Sequence, residues 1–304
     1  MIPEEQGGGA DKFLNLAQLD ETGGEESLQW FEKAVSCLER EVSELDEKVE
    51  ATRGKNEELE HERTEKREKL AHALCGMCEL WMTDLSFDDD AESNCERLIT
   101  QAVMLAPDDA QTLMTLASIR LSQQRVEDAQ AALERSVGLW KDLPTGHPLV
   151  PEFAARIALA RALMEAGMED VALKVCERLV GEDDQSVEAW YLGGWCLHLM
   201  ASADKDQSGE DEEMKEDSKD DEEKETLSPE DRKAVLLSSR EWLRNCLKLY
   251  QMLDFEDDRL RDHAKELVEN LDQQLGDAEI DDEDEWEGLE SGDSEGEDEE
   301  MDES

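Results

Sequence analysis

Aromatic residues make up only 5% of this 304-residue chain, prolines number six and glycines 18. A chain so short of rings and turn formers, with few windows that alternate polar and apolar residues, is not built as a β-sandwich or barrel. Basic residues are scarce too: 31 Lys and Arg stand against 83 Asp and Glu, a formal charge of −52. A field of that sign argues against direct binding of nucleic acid or of an anionic membrane, because both are polyanions. No apolar run approaches the ~20 residues of a membrane span. The start MIPEEQGGGADKF has neither a basic leader nor an apolar core, and the seven Cys are an odd number. Together these point to a reducing compartment, cytoplasm or nucleus.

What the chain has in abundance is Ala, Leu, Glu and Gln across residues 27–275, so an all-α fold is expected. The charge is uneven. Residues 204–225 carry 13 acids and four Lys, and 277–304 carry 17 acids with no Lys or Arg. These two stretches hold half of the net negative charge and lack the apolar residues to fold. The expected organisation is a disordered N-terminus (1–10), a half repeat and a long charged helix (11–65), helical repeats (66–200), a disordered acidic insertion (201–227), a returning repeat helix with a capping helix (228–275), and a disordered acidic tail (276–304).

The repeats emerge from the spacing of small residues. Ala160 and Gly194 lie 34 apart, the period of a tetratricopeptide repeat. With Ala160 at the eighth position of such a repeat, Gly167 falls at the fifteenth and Ala172 at the twentieth, where that motif places small residues. The physical demand is close approach: antiparallel helices 8–10 Å apart need Ala or Gly where their backbones cross. The same template fits 110–143 through Leu113, Leu116, Ala117, Ala129 and Leu133. From Ala117 to Ala160 is 43 residues, nine more than one period, and the excess falls in LWKDLPTGHPLVP. Second-helix halves appear at Cys95, Ile99 and Ala102 and at Ser27, Phe31 and Ala34. A fourth repeat begins at Trp190, is interrupted by acid, and resumes after the helix start LSPE through Leu236, Trp242, Leu243, Cys246 and Leu249. A last helix through Leu260, Ala264, Leu267 and Leu271 would cap the stack. Leu28, Phe31, Val35, Leu38, Val42, Leu45 and Val49 follow a heptad pattern, either a dimer seam or, in the reading preferred here, a face that lies on the solenoid.

Few residues suggest chemistry. Cys75 and Cys78 form the only CxxC, without the further ligands a structural zinc site needs. The five His, at 61, 72, 147, 198 and 263, are scattered, and no catalytic or phosphate-binding motif is present. No enzyme activity, cofactor or metal is expected. In a solenoid of helical hairpins the first helices line a concave, peptide-binding face. Register places Gln111, Met114, Ser118, Arg161, Met164, Glu165, Glu188, Tyr191, Trp195 and His198 there. Asp108, Asp109, Asp183 and Asp184 would flank it and hold Lys or Arg of a guest.

The stretch KREKLAHALCGMCELWMTDLSFDDDAESNCERLITQAVMLAPDDAQTLMTLASIRLSQQRVEDAQAAL (66–133) resembles the fungal assembly chaperones of the large-subunit ribosomal protein uL4, above all in LAHALCG, MTDLSFDDDAE and TLASIRLSQ. KFLNLAQLDETGGEESLQWFEKAV and GWCLHLM followed by acid are similar to that family as well. The resemblance implies a monomeric, non-enzymatic chaperone that captures newly made uL4 by its basic internal loop on the inner face, in a 1:1 complex, and accompanies it to pre-60S particles in the nucleus. Only 26 residues precede Ser27, so any full upstream repeats of relatives would be absent or shortened. Two alternatives stand beside this reading. One is an acidic histone chaperone; the other is a repeat scaffold for carboxylate-terminated peptides, which needs a basic clamp that Arg161 supplies almost alone.

Overall fold

The computed structural model describes residues 9–20, 23–207 and 227–276. Among them are eleven α-helices and no strand: α1 (Asp11–Leu19), α2 (Gly24–Thr52), α3 (Glu57–Met82), α4 (Ala91–Leu105), α5 (Ala110–Ser122), α6 (Val126–Gly138), α7 (Phe153–Glu165), α8 (Glu169–Glu182), α9 (Val187–Gln207), α10 (Pro229–Met252) and α11 (Asp258–Leu275). Each helix packs chiefly on its chain neighbours, the signature of stacked hairpins. The odd-numbered helices from α3 to α11 also touch one another in series. They therefore form one continuous layer, and the even-numbered helices back it.

Small residues sit at the crossings as their spacing requires. Ala117, Ala129, Ala160 and Ala172 are wholly buried. At the α9–α10 crossing a Cβ on Gly194 would lie 2.7 Å from Leu243 Cγ, and one on Gly193 would overlap the Trp242 ring. The Ser239 hydroxyl donates to the Gly194 carbonyl oxygen at 2.8 Å, closing the same contact. Gly76 does for α3 what Gly194 does for α9, since a Cβ there would stand 2.8 Å from the Phe31 ring of α2. The α7–α8 turn is closed by Gly167 at φ 71°, with Gly167 and Met168 N–H groups donating to Met164 and Leu163 at 3.0 and 2.9 Å. At the matching α5–α6 turn the left-handed residue is Gln124, at φ 60°.

Three sequence expectations need correction. Ala10, expected in a disordered stretch, is buried, and its carbonyl accepts from Phe13 and Leu14 N–H groups, both at 3.0 Å. The boundary drawn between 65 and 66 falls inside α3, because one helix serves both α2 and α4. The acidic insertion does not begin at 201. Helix α9 continues to Gln207 with Ala201 fully buried, because the 24-residue α10 gives it a longer surface to pack on. Of the two readings of the α2 heptad the preferred one fits, since its apolar stripe faces inward onto α3 and α1 as a core face within the chain. Residues 1–8, 208–226 and 277–304, which carry the remaining expectations of disorder, lie outside the described residues.

The excess loop 139–152 is tied down by charge. Arg156, buried on α7, pairs both of its terminal nitrogens with Glu182 at 2.8 and 2.6 Å. Glu182 also accepts from Thr145 Oγ1 at 3.1 Å. Arg178 stacks its guanidinium 5.2 Å from the buried Trp140 ring and donates to the carbonyl oxygens of Trp140, Lys141 and Leu143 at 3.3, 3.2 and 2.9 Å. The Arg156 hydrogen bond, against some cost of burial, holds the Glu182 carboxyl down at about 2.

Three outcomes are expected from these contacts. Gln124→Gly should stabilise the chain by about 1 kcal/mol in urea unfolding, and Gly167→Ala should cost a similar amount, because only the first relieves a left-handed Cβ. Gly193→Ala should cost about 1–3 kcal/mol by overpacking and much less in a Trp242→Leu background; equal costs in both would show that the ring is not the obstacle. Because the Glu182 pKa is lowered in the fold, its contribution is present above the ordinary carboxylate range and lost as pH falls toward about 2. Glu182→Gln should therefore destabilise at pH 7 by about 3 kcal/mol, with the gap to wild type closing over that acidic interval.

Candidate protein-binding groove

A groove of about 660 Å³ runs between α3, α5, α7 and the distal part of the long loop. Glu68, His72, Glu79 and Met82 come from α3; Gln111, Met114 and Ser118 from α5; Ala155 and Ala158 from α7; and Pro148, Leu149, Val150 and Pro151 from the loop. It continues toward α1 as a second recess of about 640 Å³ that shares His72, Glu79 and Gln111 and adds Leu14 and Gln18. The groove's floor and loop wall are largely apolar. Its titratable lining is acidic: Glu68, Glu79, Asp108, Asp109 and Glu152 face it, against one imidazole, His72.

The local sequence explains how this face is built. Asp109 caps α5, its Oδ2 accepting from the Thr112 N–H at 2.7 Å and the Thr112 hydroxyl at 2.8 Å. The same oxygen lies 3.0 Å from His72 Nε2 of α3. That hydrogen bond raises the His72 pKa against the opposing effect of burial. Burial pushes the Asp109 carboxyl up, but its bonds from His72 and Thr112 outweigh that and leave it below the ordinary range. Asp109 is thus a structural joint between α3 and α5. Asp108 is exposed and pairs with Arg135 at 2.8 Å.

The predicted face divides into two parts. Gln111, Met114 and Ser118 line the open groove, with Asp108 and Asp109 also among its lining residues. Arg161 and Glu188 form an exposed ion pair at 2.5 Å that links α7 to α9, and Glu165 is exposed beside them. Met164 is packed into the core. Tyr191, expected on an open surface, is only 7% exposed, because α11 lies over it. Its hydroxyl is 2.6 Å from His263 Nδ1 of that helix, and burial pushes its pKa up to about 12. Trp195 packs edge to face on the same His263 with ring centres 4.9 Å apart. His198 is half-buried on α9. Asp183 accepts from the Gln185 N–H at 3.0 Å, whereas Asp184 offers its backbone carbonyl to Trp190 Nε1 at 2.8 Å. The Asp183 carboxylate and the Asp184 backbone therefore organise the α8–α9 turn, and neither residue lines the groove.

Glu68, His72, Met82 and Leu149 escaped sequence reasoning. The 83–90 connection lengthens the α3–α4 hairpin, so no template matched α3, although Cys78 and Cys95 meet across it, each Sγ 3.8 Å from the other's carbonyl oxygen. Cys75 and Cys78 are both buried, and burial pushes the Cys75 thiol up to about 11. The loop wall did leave a signal, in the nine extra residues and their three prolines.

No protein-family model matches the chain. A curated protein of Emericella nidulans, described as a probable assembly chaperone of rpl4, is 45% identical over 303 residues, spanning 95% of this chain and 70% of the relative. One of Schizosaccharomyces pombe with the same description is 31% identical over 297 residues, spanning 97% of this chain and 77% of the relative. A solved structure described as the assembly chaperone of RpL4, Acl4, residues 1–338, matches with a TM-score of 0.65 at 47% identity, covering 68% of this chain and 74% of that one. With an acidic, apolar-walled groove on a tetratricopeptide-like solenoid and two such relatives matched over nearly its whole length, this chain belongs to the fungal family of assembly chaperones of Rpl4.

Proposed function

We propose that this protein is a non-enzymatic chaperone for newly made ribosomal protein L4, which it binds as a monomer in a 1:1 complex, with L4's basic internal loop laid in the α3–α5–α7 groove. It keeps L4 soluble in the cytoplasm and accompanies it to pre-60S particles in the nucleus. The observation that carries this reading is the groove itself: its apolar walls are rimmed by Glu68, Glu79, Asp108 and Glu152 with His72 as the one basic lining residue. A segment shaped to bind RNA is rich in Lys and Arg, and such a groove covers that charge while burying the apolar residues between. The two acid-rich stretches add a long-range field that speeds encounter with a basic guest.

Two measurements test it. Purified Rpl4 should bind with nanomolar to micromolar affinity that weakens as salt rises, and Glu68→Lys with Glu152→Lys should weaken it about tenfold or more at 0.1 M NaCl and less at 0.5 M. Histones that bind more tightly than Rpl4 in direct competition would replace this reading with the histone-chaperone alternative. Removing residues 208–226 and 277–304 should lower the association rate severalfold by stopped flow while leaving the dissociation rate nearly unchanged. A slower association with an equally faster dissociation would mean that those residues hold the guest directly.

A further inference from the structure

Charge alone makes the groove a poor judge of identity, since any Lys-rich segment would satisfy Glu68 or Glu152. The long loop supplies something else. Nine residues beyond the repeat period let it reach over the groove, and its distal end presents Leu149 there, 61% exposed. The chain spends many contacts on holding that leucine in place. Arg178 fixes three carbonyls of the loop's first half, and Glu182 holds Thr145. His147 then anchors the second half, its Nδ1 accepting from the Leu149 N–H at 3.2 Å and its carbonyl from the Val150 N–H at 2.9 Å. Pro144, Pro148 and Pro151 restrict what remains. A leucine carried on backbone held in this way leaves less loop freedom for binding to remove. Met82 of α3 and Met114 of α5 line the same groove, and methionines adapt to the shape of an apolar guest.

We propose that Leu149, on the loop wall of the groove, is the centre of an apolar subsite that reads one bulky aliphatic side chain of the guest, set among its Lys and Arg residues. The guest chemistry is therefore an extended basic segment with an Ile, Leu or Val at one fixed place, and a purely polar basic segment binds more weakly. This rests on the proposed groove function for where the guest lies, and it adds what the groove selects.

The test uses the full chain and two synthetic 15-residue peptides of Lys, Gly and Ser with equal charge, one with Ile and one with Ser at its centre. By calorimetry the Ile peptide should bind the wild type about tenfold more tightly. That ratio should persist at 0.5 M NaCl, because salt does not screen apolar burial. In Leu149→Ser the two peptides should bind alike, with the polar peptide's affinity unchanged; because Leu149 is exposed, circular dichroism should show the fold intact. Equal affinities in the wild type, or an Ile preference that survives Leu149→Ser, would overturn the subsite. Rpl4 titrated in parallel separates the two readings. Rpl4 binding without an Ile preference rejects the subsite and leaves the chaperone function standing, whereas an Ile preference without Rpl4 binding does the reverse.

Discussion

The close crossing of antiparallel helices is the constraint on which the rest of the structure depends. Where Gly194 and Gly193 let α10 settle onto α9, and Gly76 lets Phe31 of α2 reach α3, larger side chains on either side interlock and exclude water. Repeating that approach along the chain sets each hairpin beside the last. The result is a layer of first helices whose exposed sides face one way, so the groove is a by-product of how small certain residues are.

The molecule then breaks its own regularity at one joint. One apolar cluster runs from α1 to α5 and another from α5 to α11, and Leu116 of α5 packs against both where they meet. Between α6 and α7 the ordinary tight turn is replaced by the long loop. A buried Arg156–Glu182 pair in place of apolar packing is a costly way to brace a joint, but Glu182 also holds a threonine hydroxyl and Arg178, whose guanidinium grips three loop carbonyls, which a leucine could not do. The joint is stiffened by charge on the back of the molecule while an apolar wall is raised on its front.

Much of this was legible in the sequence because repetition amplifies weak signals. A single Ala at a helix crossing is unremarkable, yet Ala117, Ala160 and Gly194 with their companions fix the period, the hairpins and the direction of the inner layer. What stayed hidden lay where the period slipped. The lengthened 83–90 connection removed α3 from the template, and with it Glu68, His72 and Met82. Register places Tyr191 on the inner face as well as it places Met114, but it cannot show that α11 covers one and leaves the other open. The charge rim was only half readable for a similar reason. A carboxylate such as Asp109 looks the same in sequence whether it awaits a ligand's lysine or is already committed to Thr112 and His72.

The thiols record the same architecture in a different currency. Cys75, Cys78 and Cys95 are buried in the N-terminal cluster, and Cys176, Cys196 and Cys246 in the C-terminal one. Burial raises the pKa of Cys75, Cys78, Cys95 and Cys246, which leaves little thiolate to react while the helices stay closed. Cys37, only partly buried on α2, packs against the edge of the N-terminal cluster. The chain thus carries two sealed sets of chemical clocks and one half-covered thiol at the edge of the first. The rate at which an alkylating reagent reaches each set measures how often each half of the solenoid opens, with no label added to the protein.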